Sequence, residues 1–219
     1  MTTTYKGVVF DLDGTLINSV EEIAHVTNTV LKEAGLPTHP SDAYKYFAGN
    51  GAQILLERAT PAEVVADAKR FEPLYQRMLT VYDELSGTLA KPYDGINALL
   101  AALSKKGVKL HVLSNKPHEA TLECVNTLLP GHSFDLIYGA RDGVPKKPHP
   151  QGAMDILKET AIAPSEMLYL GDTAVDMETA CRARMVAVGV LWGFRERDEL
   201  EKSGASHIIG SPLELLNLL

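Results

Sequence analysis

Short apolar runs alternate with amphipathic stretches along most of the chain. Gly7 to Phe10, Lys109 to Leu113, Leu136 to Tyr138, Met167 to Leu170, Val186 to Leu191 and His207 to Ile209 are too short for helices and rich in aliphatic residues, which predicts buried strands. Between them apolar positions return at helical spacing, as in Ile96, Leu99, Leu100 and Leu103 ahead of Gly107, and Ala153, Ile156, Leu157 and Thr160 before the next strand. Such alternation predicts a parallel sheet whose crossover helices each cover one sheet face.

The alternation breaks after the first strand, where only helical patterns follow. Ser19 with Glu22 has the spacing of a capping box, and the stripe Ile23, Val26, Val30 and Leu31 continues from it until a stop near Gly35. Thr60, Pro61 and Glu63 open another helix, with Pro61 at its first position, and Pro73 is expected to break or kink it. The simplest organisation is a helical insertion over residues 17–84 within an α/β domain made of residues 1–16 and 85–219. Internal repeats and low-complexity segments are absent from the sequence.

The composition narrows the partners. With 219 residues, 45% hydrophobic and 22% charged, the chain can bury a substantial core. A net charge of -7 offers no broad basic field, so nucleic acid and acidic membrane surfaces are poor partners, and any phosphate site must be local. Cys124 and Cys181 lack metal-like spacing and suggest no disulfide framework, which fits a reducing compartment. Met1 to Phe10 does not resemble a signal peptide, and no apolar run approaches the roughly 20 residues of a membrane span. A soluble, cytoplasmic protein is expected.

Candidate chemistry sits at the ends of the strands. Asp11-Leu12-Asp13-Gly14-Thr15 directly follows the first apolar run. Residues two apart on extended backbone point the same way, and Gly14 permits a sharp turn, so both carboxylates can face one ligand. Such close like charges need a cation or a proton between them, and hard oxygen donors suit magnesium. A solvated acidic turn and the start of a calcium loop are the alternatives; Leu16 stands where the calcium loop needs glycine, and a strand rather than a helix precedes it. Ser114-Asn115-Lys116, before Pro117, offers a hydroxyl, an amide and helix-terminal N–H groups for a phosphate, although a simple N-cap looks the same. Gly171-Asp172-Thr173 ends another strand, with Asp176 four positions after Asp172, and here too an ordinary N-cap is an alternative. Lys146-Lys147-Pro148-His149-Pro150 is a proline-stiffened loop that can hold a lysine inward, or simply a solvated charge pair with a loop histidine. Convergence decides among these readings, because an open parallel sheet binds its ligand at the carboxyl ends of its strands, where all three acidic and hydroxyl clusters fall. Carboxylates for a cation, donors for phosphate oxygens and a lysine are what phosphoryl transfer requires.

At these residues the chain closely resembles the haloacid dehalogenase superfamily, in its phosphoglycolate phosphatase-like branch. The motifs occur in order as Asp11-Leu12-Asp13-Gly14-Thr15, Ser114-Asn115, Lys147 before Pro148, and Gly171-Asp172-Thr173 with Asp176. The resemblance covers essentially the whole chain. It implies an α/β fold, a Rossmann-like parallel sheet core with an inserted helical cap domain. It also implies Asp11 as nucleophile and magnesium ligand, Asp13 as acid/base and backbone-carbonyl ligand, Asp172 as a further ligand and Asp176 as its support, with Ser114, Asn115 and Lys147 holding the phosphoryl group. Asp13 favours a phosphatase or phosphomutase, which must protonate a leaving alkoxide. Asn18, where the branch leads one to expect aspartate, and Arg184, where a helix-ending glycine is usual, depart from the pattern.

Within the insertion, Gly49-Asn50-Gly51 precedes a stretch containing Ile54, Leu55 and Leu56, so its N–H groups and the Asn50 amide are candidates for reading the non-phosphate end of a substrate; the alternative is a plain join between helices. The expected activity is magnesium-dependent hydrolysis of a small phosphomonoester, 2-phosphoglycolate first. A nucleotide or sugar-phosphate phosphatase, a pyrophosphatase or a phosphomutase would use the same motifs. A non-catalytic binding protein on this fold would normally have lost one of Asp11, Asp13, Lys147 and Asp172.

Overall fold

The computed structural model describes residues 5–85 and 88–219, so Met1–Thr4 of the amino-terminal segment lie outside it. Strand β1 (Gly7–Phe10) and the short β2 (Ile17–Asn18) precede a run of helices, α1 (Val20–Glu33), α2 (Ser41–Phe47), α3 (Ala52–Ala59), α4 (Ala62–Val65) and α5 (Ala68–Leu85). Strand and helix then alternate through β3 (Lys91–Pro92), α6 (Ile96–Lys105), β4 (Lys109–Pro117), α7 (His118–Leu128), β5 (Leu136–Ala140), α8 (Gln151–Thr160), β6 (Met167–Gly171), α9 (Ala174–Arg182), β7 (Val186–Val190), α10 (Arg197–Lys202) and β8 (His207–Ile209). The six strands read from the sequence form one sheet in the order β5-β4-β1-β6-β7-β8, parallel throughout. After β1 the chain builds outward on one side through β4 and β5, then returns to the other side at β6. The strand order therefore reverses at β1, and its carboxyl end is the switch point at which such sheets bind ligands.

The pleat divides the sheet strands between two apolar layers. Val8, Phe10, Val112, Leu168 and Leu170 pack with Ile96, Leu99, Leu100 and Leu103 of α6. On the opposite face Val9, Leu113 and Tyr169 meet Ala153 and Ile156 of α8 and Met177 and Ala180 of α9. Each fully buried large aliphatic side chain contributes about 1.5–3 kcal/mol, so these two layers hold the strand ends in place. The helical run has a core of its own: Ile23, Val26, Val30 and Leu31 of α1 pack with Tyr44, Leu55, Leu56, Phe71, Met78 and Val81, and with Phe194 from beyond β7. Among the described residues no helix is long and apolar enough to cross a membrane.

Several local expectations are corrected. Helix α1 starts after Ser19, but no capping box forms: the Ser19 hydroxyl is buried without a partner among the described residues, and Glu22 Oε2 instead accepts the Leu89 N–H at 3.4 Å. The helix opened by Pro61 is the single turn α4, and the break comes at Ala66 and Asp67 rather than at Pro73, which sits inside α5. Pro73 falls in the second turn, so it leaves only the Lys69 carbonyl without its intrahelical donor. The pair β2 and β3 was not legible; Ile17 pairs with Pro92 and Asn18 with Lys91 where the two chain crossings meet. Arg184 takes the left-handed conformation at φ 59° and closes α9, with its N–H donating to the Cys181 carbonyl at 3.0 Å and that of Met185 to the Ala180 carbonyl at 2.9 Å.

Candidate active site

Asp11 is the first residue past β1, and its N–H still donates to the Leu170 carbonyl at 2.9 Å, so the neighbouring strand fixes where its side chain points. The chain then folds back at once, with the N–H groups of Leu16 and Ile17 donating to the Leu12 carbonyl at 3.0 and 2.9 Å. Gly14 sits at φ 90° in this turn, and a Cβ there would lie 2.2 Å from Asp172 Oδ2, so both the backbone angle and the space demand glycine. Gly193 closes the other side, where a Cβ would lie 2.3 Å from that of Asp172. Asp172 is thus held between two glycines, and its oxygens accept the Thr15 hydroxyl at 3.1 Å and the Phe194 N–H at 2.8 Å.

Lys147 is the hub of the site. Its ammonium lies 2.7 Å from Asp11 Oδ1 and 2.7 Å from Asp176 Oδ1, with all three side chains buried. Asp176 Oδ2 accepts the Thr173 N–H and hydroxyl at 3.2 and 2.8 Å, which with the reciprocal bond caps α9. Both oxygens of Asp176 are therefore engaged, Oδ2 by two donors, while each Asp172 oxygen accepts one hydrogen bond and keeps a lone pair. Asp11 Oδ1 also accepts the Leu12 N–H at 2.7 Å, and Oδ2 has no hydrogen bond among the described residues.

The electrostatics show what the cluster lacks. Asp11, Asp172 and Asp176 can each bring a carboxylate oxygen within 4.8 Å of the others, against the single ammonium of Lys147. Burial, then the charge of Asp176, pushes the Asp172 carboxyl up to about 7. Burial, then Asp176 and Asp172 working against Lys147, holds Asp11 well above the usual carboxylate range. Burial disfavours the Lys147 ammonium, but Asp11 and Asp176 outweigh it and hold its pKa well above that of an ordinary lysine. With Lys147 always charged, the carboxylates must take up a proton or a second cation. A hard, all-oxygen donor set with excess negative charge fits a divalent cation such as magnesium.

Ser114 and Asn115 lie near the end of β4, both buried. The Ser114 hydroxyl oxygen accepts the Lys116 N–H at 3.1 Å, which leaves its own proton to donate. Asn115 is fully engaged: its Nδ2 donates to the carbonyls of Gly49 and Lys147, each at 3.0 Å, and its Oδ1 accepts the Lys147 N–H at 2.9 Å. The side chain joins the helical insertion, β4 and the Lys147 loop.

Asp11, Asp13, Ser114, Asn115 and Lys147 line the floor of a cavity of about 370 Å³, roofed by Ile23, Leu55, Leu79 and Tyr82. Gly49 and Gly51 face it and Asn50 does not; the Asn50 side-chain Oδ1 accepts from Arg58 Nη2 at 2.8 Å. His149 stays in its loop, where its Nδ1 accepts the Gln151 N–H at 3.2 Å.

Sequence reasoning missed the residues that dock the insertion on the sheet. Phe194 is buried in the helical core while its N–H holds Asp172. The Arg195 guanidinium caps the end of α2 through the carbonyls of Lys45, Tyr46 and Ala48, and pairs with Glu199 at 3.2 Å. Neither carries a local signal, because Arg195 acts on carbonyls about 150 positions away in sequence and Phe194 packs into a core contributed by the helical insertion. Thr15 and Lys116 stood within quoted motifs, but their spacing assigns them no partner.

Residues 8–190 match the haloacid dehalogenase-like hydrolase family. The chain is similar to the phosphoglycolate phosphatase of Pectobacterium atrosepticum, with 30% identity over 218 residues that cover 99% of this chain and 93% of that one. It is 36% identical to the phosphoglycolate phosphatase of Aquifex aeolicus over 187 residues, 85% of each chain. The crystal structure of a predicted phosphoglycolate phosphatase from Haemophilus somnus superposes with a TM-score of 0.89 at 26% identity, covering 100% of this chain and 99% of that one. Sheet, strand-end chemistry and relatives agree: the chain is a phosphatase that belongs to the haloacid dehalogenase-like hydrolases, in their phosphoglycolate phosphatase-like branch.

Proposed function

We propose that the protein hydrolyses a small phosphomonoester in two steps through an aspartyl-phosphate on Asp11. The observation that carries this reading is the position of Asp11: the residue lines the cavity floor, Lys147 and the Leu12 N–H hold its Oδ1, and its Oδ2 accepts no hydrogen bond among the described residues. Oδ2 attacks phosphorus in line with the departing ester oxygen. Asp13, on the same cavity floor, gives its proton to the leaving alkoxide, then takes one from the water that cleaves the acyl phosphate. The Ser114 hydroxyl and the Lys147 ammonium hold the transferring oxygens. Asn115 contributes by positioning Lys147 and Gly49. Asp11, the Asp13 carbonyl and Asp172 would hold magnesium, with Asp176 fixing Lys147 beside them. Bound there, the ion neutralises the charge that gathers on the phosphoryl oxygens.

Residues 17–84 act as a cap that shields this chemistry from bulk water, where each of its electrostatic interactions would weaken. The relatives' names put 2-phosphoglycolate first among the esters, and the free state of both cysteines suits a reducing, cytoplasmic setting. The test is phosphate release from a panel of esters, with and without magnesium, by wild type and Asp11→Asn. Wild type should work only with the metal, and the variant should be inactive because an amide is no anionic nucleophile. Full activity in excess chelator would remove magnesium from the scheme, and a near wild-type Asp11→Asn would remove the covalent step.

A further inference from the structure

One basic group in the cavity has no role in the scheme above. The Lys116 side chain is only 8% exposed, yet its ammonium makes no hydrogen bond among the described residues. The nearest acidic oxygen, Asp13 Oδ1, stands 3.6 Å away and is itself buried without a hydrogen-bond partner among the described residues. The Tyr82 ring of α5 lies over the ammonium with its centroid at 5.0 Å. The main chain of Lys116 is fixed, its N–H on Ser114 Oγ at 3.1 Å and its carbonyl accepting from Thr121 at 3.2 Å. A buried ammonium with three donors and one long ionic contact is under-satisfied, and this one lines the cavity.

Its position says what would satisfy it. The other lysine lining the cavity, Lys147, is already bound by two carboxylates at 2.7 Å. The remaining charged groups around the cavity wall, Asp83 and Glu119, are acidic and exposed, and the roof is apolar. An anionic group on the far side of the ester therefore meets one available cation. That cation stands beside Asp13, where the leaving oxygen must be protonated, so a carboxylate one CH2 from the ester oxygen comes within its reach.

We propose that Lys116 is the specificity-determining residue of this site, reading a carboxylate carried by the leaving group next to the ester oxygen, with Tyr82 closing over the ion pair from the cap. The substrate class is the phosphomonoesters of short hydroxy acids. This rests on the phosphatase reading above and adds the element that selects among esters.

The experiment compares 2-phosphoglycolate with 2-hydroxyethyl phosphate, which has the same chain length and no second charge. Wild type should favour the acid by at least about 100-fold in kcat/KM, because the neutral ester leaves a buried ammonium unpaired. Lys116→Met should bring that ratio to within about tenfold of unity, mainly through KM for the acid, and Lys116→Arg should keep most of it. An unchanged ratio in Lys116→Met, with both esters losing turnover alike, would overturn the proposal and leave Lys116 as a support for Asp13. A wild type that prefers the neutral ester would overturn it too. Failure of the phosphatase reading looks different: neither ester is turned over with magnesium present. Calorimetric binding of the two esters then decides Lys116 independently: tighter binding of the acid by wild type and not by Lys116→Met supports the role, and equal affinities reject it. Thermal unfolding of each variant separates a folding defect from a binding one.

Discussion

The sheet edge and the helical cap enclose the same cavity but are built by different means. At the sheet edge Asp11 and Asp172 directly follow strands flanked on both sides and Ser114 and Asn115 lie near the end of a third, so their direction is set by the pleat and by ladder bonds such as Asp11 N–H to the Leu170 carbonyl at 2.9 Å, with Lys147 brought in from a loop. The cap meets the site through loops and side chains: Gly49 on Asn115, Phe194 in the cap core, Arg195 on the end of α2 and Tyr82 over Lys116. A rigid edge suits reacting atoms, which tolerate little displacement, and a docked lid suits selection and release. Substitutions at the edge should therefore act on rate, and substitutions at the docking points on stability and substrate affinity.

Asp13→Asn should show the largest effect and the cleanest separation. It removes a proton donor and acceptor without emptying the core, so kcat should fall about 100-fold to 10,000-fold, with the unfolding midpoint nearly unchanged. Steady-state kinetics beside a melting curve checks both halves. Unchanged turnover would remove Asp13 from the acid/base role, and a collapsed midpoint would show that edge residues also carry the fold.

Phe194→Ala is the counterpart at a docking point. The ring is 5% exposed and belongs to the cap core, although its backbone belongs to the sheet side. Its truncation should lower unfolding stability by about 3–5 kcal/mol, the usual cost of emptying a buried aromatic site, and raise KM as the cap loosens. Urea denaturation measures it, and a loss under about 1 kcal/mol would mean that the cap docks without Phe194.

A third difference concerns acid. His111 lies within the sheet at 0% exposure, with both ring nitrogens unpartnered among the described residues, and burial pushes its pKa down to about 4. The unfolded chain takes up this proton near pH 6.5, and the folded chain does so only near 4. Stability from this residue is thus fully present above pH 6.5 and falls as the pH drops toward 4, by about 3 kcal/mol. His111→Leu should flatten that part of the stability profile. An unaltered slope would place the acid sensitivity elsewhere, the cap included.

The same contrast governs what could be read from the sequence. The six sheet strands and their acidic or hydroxyl ends were legible because apolar runs and the turn glycine Gly14 are local signals. Where a local signal had competitors it misled: Ser19 and Glu22 have capping-box spacing, but Glu22 turns to the Leu89 N–H, while Thr173 and Asp176 form the box instead. Pro73 was expected to break or kink the helix; α5 runs on through it, because near the start of a helix packed through Phe71 and Met78 it removes one bond and leaves the buried stripe intact. Phe194, Arg195 and the three-way role of Asn115 depend on pairings far apart in sequence, which periodicity cannot register.

The smallest effect expected is at Asn50, where the sequence alone suggested a substrate contact. The loop backbone does reach the cavity through Gly49 and Gly51, but the Asn50 side-chain Oδ1 is held by Arg58 at 2.8 Å, and the residue is absent from the lining. Arg58 also donates to the Phe47 carbonyl at 2.9 Å, and Gly49 stays bound to Asn115 at 3.0 Å, so losing the Asn50 amide frees one exposed hydrogen bond and leaves the loop anchored at both ends. Such a bond contributes about 0.5–1.5 kcal/mol net, and only the part that changes loop position reaches the substrate. Asn50→Ala should therefore lower kcat/KM by no more than about fivefold, and by the same factor for 2-phosphoglycolate and for 2-hydroxyethyl phosphate. Asn115→Ala, which releases the Gly49 carbonyl and both Lys147 contacts together, should lose far more on either ester. A loss at Asn50 beyond roughly 10-fold, confined to the preferred ester, would put the amide on the leaving group and move discrimination from the strand ends to the cap.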